Sequence, residues 1–134
     1  MRHTGSILVI DNEPTIVDLL VELLTNEGYV AYGTADDAGA LAAIARHPPA
    51  LLLLDVRRPR MDGAQMIAEI RGACLTAVPI VLMTTAPADA ASLLVLGSID
   101  LLAKPFDIDD LLACVARFVL PDQALDRRLA PCAP

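Results

Sequence analysis

Four consecutive leucines, Leu51 to Leu54, run straight into Asp55, and Arg57, Arg58, Pro59, Arg60 and Gly63 then break the chain. A strand with no polar alternation has no face to offer water, so it must be covered on both sides, as in parallel sheets crossed by helices. Ile7–Ile10, Tyr29–Tyr32, Pro79–Met83 and Ile99–Leu102 read as four further short strands of this kind. Helical patterns separate them. Glu13-Pro14 opens the first, with proline where its missing N–H costs nothing, and Ile16, Leu19, Leu20, Leu23 and Leu24 at helical spacing before Gly28. Asp36–Arg46, Met61–Arg71, Ala88–Leu96 and Ile108–Leu120 read as the other four helices. The alternation predicts one α/β domain, a doubly wound (βα)5 sheet over residues 1–120, with a proline-containing tail or linker stub over 121–134.

Composition excludes several function classes. With 134 residues and 55% hydrophobic side chains, the chain can bury a full core and is not disordered. No apolar run reaches the roughly 18 residues of a membrane span, and Met1 to Ser6 lacks the apolar stretch of a signal peptide, so a cytoplasmic protein without a membrane partner is expected. Cys74, Cys114 and Cys132 lie far apart without histidines at ligand spacing, which argues against disulfide or zinc roles. A net charge of −7 and 3% aromatics argue against direct nucleic acid binding.

Doubly wound sheets place their chemistry at the carboxyl ends of the strands. Just past those ends stand Asp11 and Asn12, then Asp55, Thr85 and Lys104, the only lysine in the chain. Two carboxylates and an amide oxygen suit Mg2+, a carboxylate can act as nucleophile, and a hydroxyl and an ammonium can hold phosphoryl oxygens. Taken singly, each has a plainer reading as a turn former, cap or strand residue. Their order across successive strand ends is what carries the functional reading.

ILVIDNEP, LLLLDVRRPRMDG, VLMTTAPA and LLAKPFD together resemble the motifs of receiver domains of bacterial two-component response regulators, over roughly residues 6–120. The resemblance implies a flavodoxin-like fold with strand order 2-1-3-4-5 and Mg2+-dependent phosphoryl transfer from a sensor histidine kinase or phosphotransfer protein. By position it implies that Asp55 accepts the phosphoryl group. Asp11, Asn12 and the Arg57 backbone carbonyl join Asp55 at the metal, Thr85 and Lys104 bind phosphoryl oxygens, and Pro105 is cis. Signalling rather than turnover of a substrate is implied, with Thr85 and the residue at Leu101 as switch positions.

Three features depart from that pattern. Asn12 replaces an acid usual in the family and predicts weak Mg2+ binding; Glu13 could compensate, but capping of the first helix is the preferred role. Arg57, Arg58 and Arg60 crowd the loop after Asp55, either leaning over the site or lying solvated. Leu101 stands where an aromatic switch residue is usual. These departures keep open a phosphorylation-independent interaction module. A flavin or nucleotide carrier is disfavoured, because the acidic loop Asp11-Asn12-Glu13-Pro14 would repel a phosphate. The last helix reads as apolar nearly all round, which predicts that Cys114, Val119, Leu120 and Leu101 stay unburied on a face made by the fourth helix, fifth strand and fifth helix. That face is expected to bind a second copy or an output domain.

Overall fold

The computed structural model describes residues 3–56, 63–72, 78–86 and 100–121. Among them, in chain order, are β1 (His3–Thr4), β2 (Ser6–Ile10), α1 (Pro14–Asn26), β3 (Val30–Thr34), α2 (Asp37–Arg46) and β4 (Leu51–Asp55). They continue with α3 (Gly63–Gly72), β5 (Ile80–Thr84), β6 (Asp100–Ala103), α4 (Ile108–Ala116) and β7 (Val119–Leu120). The expected helix over 88–96 lies outside the described residues, as do Arg57, Arg58, Arg60, Cys74, Pro87, Cys132 and the tail after Pro121; α4 is therefore the fifth helix expected from the sequence.

Five strands form one parallel sheet in the order β3-β2-β4-β5-β6, which is 2-1-3-4-5 when those five are counted along the chain. Both faces of the sheet are buried, which is why its strands do not alternate. Ile7, Val9, Leu51, Leu53, Val81 and Met83 point into the core beneath α1 and α4. Leu8, Ile10, Leu52, Leu54, Ile80 and Leu82 point into the other, beneath α2 and α3. All four leucines of β4 are fully buried. At about 1.5–3 kcal/mol for each such side chain, the central strand is a large part of the driving force.

Local signals set the helix ends. Pro14 opens α1, and Gly28, at φ 93°, lets the chain turn out of it. The Asp36 carboxylate accepts the Gly39 N–H, and Asp107 and Asp110 form a reciprocal capping box at α4. On α1 the buried positions are Val17, Leu20 and Leu24, while Leu19, expected in the stripe, is 49% exposed. The helix has more apolar positions than one stripe needs, so packing against β3 chose among them.

The carboxyl-terminal end differs most from expectation. α4 stops at Ala116, tightened by Arg117 N–H to Cys114 O and Phe118 N–H to Val115 O, and the chain then extends as β7. β7 pairs in parallel with β1, His3 opposite Val119 and Thr4 opposite Leu120. Cys114 and Val119 are consequently buried, at 5% and 0% exposure, in the same core cluster as the residues beneath α1. Leu120 is half-buried, and Leu101 packs against the opposite core. The unburied apolar face built on Cys114, Val119, Leu120 and Leu101 is therefore not there. Once the backbone leaves the helix, Val119 follows a strand's geometry, and the amino-terminal residues supply its partner. The same region carries an ion pair, Arg117 with Asp100, and the Arg117 guanidinium lies 5.5 Å from the Phe118 ring centre. Burial pushes the Cys114 thiol above its ordinary pKa.

Candidate functional site

Strand register brings the polar residues together. Ile10 lies opposite Leu54, Asp55 opposite Met83 and Thr84 opposite Ala103, so the sheet's central strands end nearly level. Val56 N–H donates to Met83 O, and Lys104 N–H donates to Thr84 O at 2.6 Å, which holds the strand ends in that register. The Lys104–Pro105 peptide bond is cis, as expected.

Asp11 follows β2, Asp55 ends β4 and Lys104 follows β6. Asp11 is fully buried and Asp55 is 5% exposed. The Asp11 carboxylate is engaged at both oxygens: Oδ1 accepts the Glu13 N–H at 3.0 Å, and Oδ2 accepts from Lys104 Nζ at 3.0 Å. Lys104 Nζ stands 3.7 Å from Asp55 Oδ1, an ion pair rather than a hydrogen bond. The only lysine thus bridges the two carboxylates and leans on Asp11. Among the described residues, Lys104 is the cation shared by these two buried carboxylates, so the site favours a further positive charge.

Mg2+ fits that need. It is typically held by one or two carboxylates, with water and phosphate completing an octahedron. Among the described residues no cluster of three acidic, histidine or cysteine side chains forms. Asn12 is exposed at the mouth, next to Asp11. Glu13 is the N-cap residue of α1, at the helix start where its negative charge was expected, although its side chain makes no capping hydrogen bond. The Arg57 carbonyl lies outside the described residues.

Thr85, expected as the phosphoryl-binding hydroxyl, is one residue beyond β5 and exposed. Thr84 ends the strand at 3% exposure, with its hydroxyl accepting the Ala86 N–H at 2.9 Å. Strand alternation puts Thr84 on the same face as Leu82, and Leu82 lies opposite Leu101. The adjacent pair Thr84-Thr85 left two choices in the sequence. Counting the strand from Pro79 would have favoured Thr84, but the length of β5 becomes definite only through its pairing with β4 and β6. At the family's aromatic switch position, Leu101 is half-buried against the core that Leu82 belongs to.

A family model described as response regulator receiver domain matches residues 7–116. KdpE, a transcriptional regulatory protein of Mycobacterium tuberculosis, is 42% identical over 108 residues, 80% of this chain and 47% of KdpE. The DNA-binding transcriptional regulator NtrC of Escherichia coli is 34% identical over 117 residues, 86% of this chain and 25% of NtrC. The chain thus spans less than half the length of these curated relatives. Among solved structures, the receiver domain of NtrX from Brucella abortus superposes with a TM-score of 0.76 at 33% identity, covering 83% of this chain and 95% of that one. The receiver domain of the sensor histidine kinase PA1611 from Pseudomonas aeruginosa has a TM-score of 0.75 at 28% identity, covers 85% of this chain and 96% of that one, and was solved with magnesium coordinated in its active-site cleft.

Proposed function

Because the chain belongs to the response regulator receiver domain family, we propose that Asp55 accepts its phosphoryl group, from a sensor histidine kinase or phosphotransfer protein, in the cytoplasm. The observation that carries this reading is the convergence of Asp11, Asp55 and Lys104 at one sheet edge, with Lys104 Nζ 3.0 Å from one carboxylate and 3.7 Å from the other. No observation at the site favours a phosphorylation-independent module.

The chemistry is group transfer between carriers. An Asp55 carboxylate oxygen forms a bond to phosphorus as the phosphorus–nitrogen bond of a phosphohistidine breaks, and the departing imidazole takes up a proton. Asp11, Asp55, the Asn12 amide oxygen and the Arg57 carbonyl would hold Mg2+, which when bound neutralises charge on the phosphoryl oxygens. Lys104, released from Asp11, binds one phosphoryl oxygen. The hydroxyl that follows phosphorylation is assigned to Thr84 in place of Thr85. Thr84 ends β5 beside Asp55's strand, and turning its hydroxyl toward a phosphoryl oxygen would release the Ala86 N–H and reshape the loop. Leu101 on the same face passes that change on by packing, without an aromatic rotamer.

Incubation with a small-molecule phosphodonor and Mg2+ is expected to add one phosphoryl group, read by intact mass; no gain in mass would overturn the reading. Thr84→Ala should uncouple uptake from the amide shifts of residues 84–86 and 101, whereas Thr85→Ala should leave those shifts in place. The reverse pattern would return the role to Thr85. Asn12→Asp should tighten Mg2+ by roughly tenfold in a titration. That is well below the ~4 kcal/mol of a pair about 4 Å apart near a protein surface, because position 12 is exposed. An unchanged affinity would place Asn12 away from the ion.

A further inference from the structure

The net charge of −7 is confined to one stretch of chain. Residues 4–45 contain seven acids and no lysine or arginine, while the remaining 92 residues balance ten acids against all ten Lys and Arg. In the fold this stretch forms β2, α1, β3 and most of α2, at the β3 edge of the sheet.

Three features of that edge fit together. First, among the described residues β3 ends the sheet, and none of their strands pairs with its outer side. Asp11 N–H bonds to Thr34 O, so alternation turns the N–H and C=O groups of Ala31 and Gly33 away from β2. Edge strands are commonly blunted by lysine, proline or a bulge. VAYGT has no charged residue or proline, pairs with β2 in unbroken register and leaves Val30 49% exposed.

Second, a groove of about 390 Å3 runs between β3 and α1, floored by Val17, Val21 and Gly33 and walled by Asp18 and Glu22. Gly33 is required there. A Cβ on it would stand 2.4 Å from Val17 Cγ1 and 2.9 Å from Val9 O, so only glycine lets α1 close on the strand. Third, the spacings match. Asp18 and Glu22, four residues apart on a helix, are separated by about 6 Å along its axis, and alternate residues of an extended chain by about 6.6 Å. In a strand added beside β3, residues next to Ala31 and Gly33 would face α1 and these acids.

We propose that the β3 edge and the α1 wall form a docking site for an extended segment of a partner protein that carries Lys or Arg at positions i and i+2. The segment adds to the sheet as a sixth strand through the backbone of Ala31 and Gly33, and its two cations pair with Asp18 and Glu22. A second copy meeting through the same edge would set like charges against each other. Steering by the charge of residues 4–45 makes association fast and salt-sensitive.

The test titrates a labelled nine-residue peptide, arginine alternating with valine and threonine, into the full chain at low salt, with a glutamate-for-arginine version as control. The arginine peptide is expected to bind, to slow amide exchange at Ala31 and Gly33, and to lose at least tenfold in affinity to Asp18→Lys with Glu22→Lys. Glu69→Lys with Asp109→Lys, the same change in net charge on exposed positions of α3 and α4, should change affinity less than threefold. Equal weakening by both pairs would reduce the effect to bulk charge and overturn the site. Groove-dependent binding without protection at Ala31 and Gly33 would overturn the added strand. Absence of binding, or self-association of the chain abolished by Asp18→Lys with Glu22→Lys, would overturn the partner.

Discussion

Asp55→Asn abolishes phosphoryl uptake: with a small-molecule phosphodonor and Mg2+, the variant is expected to lose at least about a thousandfold in rate, equivalent to ~4 kcal/mol in the barrier. An amide oxygen is a poor nucleophile, and the substitution also removes one of the two carboxylates proposed to hold Mg2+. The fold should survive, because the asparagine is nearly isosteric and the leucines of β4 remain buried. Asp11→Asn should be milder, about tenfold to a hundredfold, since the nucleophile remains while Lys104 loses its 3.0 Å partner. Intact mass and a melting curve on each variant separate chemistry from folding. Uptake by Asp55→Asn at the wild-type rate would remove Asp55 from its role.

Val119→Glu is expected to cost about 3–5 kcal/mol of stability, a large part of the 5–15 kcal/mol typical of a domain. Val119 is fully buried in the apolar core cluster beneath α1 and α4, and a carboxylate there has no cation to pair with among the described core residues. Leu120→Glu, one residue on and half-buried, should cost less than about 1 kcal/mol. Urea unfolding of both variants decides between burial and exposure at this end of the chain. If Val119→Glu unfolded at the wild-type midpoint and only changed self-association, Val119 would be a surface residue after all.

The contrast between those two neighbours marks where sequence stops being sufficient. Fold class, the five strands of the sheet and the placement of Asp11, Asp55 and Lys104 at one edge are legible locally. Four unbroken leucines between turn residues read as a short strand covered on both faces, Pro14 and Gly28 bracket a helix, and an acid or lysine directly after such a run falls at a strand's end. Such signals are short-range: they depend on residues within a turn or a pleat of one another.

The rest depended on partners distant in the chain. Whether Thr84 or Thr85 ends β5 was settled by its register with β4 and β6, and Lys104 leans on Asp11, 93 residues away, more closely than on Asp55. The fate of Val119 turned on His3 and Thr4, which belong to no recognisable motif, and α1 buried Val17 over Leu19 because Gly33 admits Val17 at contact distance. Periodicity states that a residue is able to be buried. Only the three-dimensional competition for a limited core surface states which one is, because the energy of burial belongs to the pair in contact and not to either residue alone.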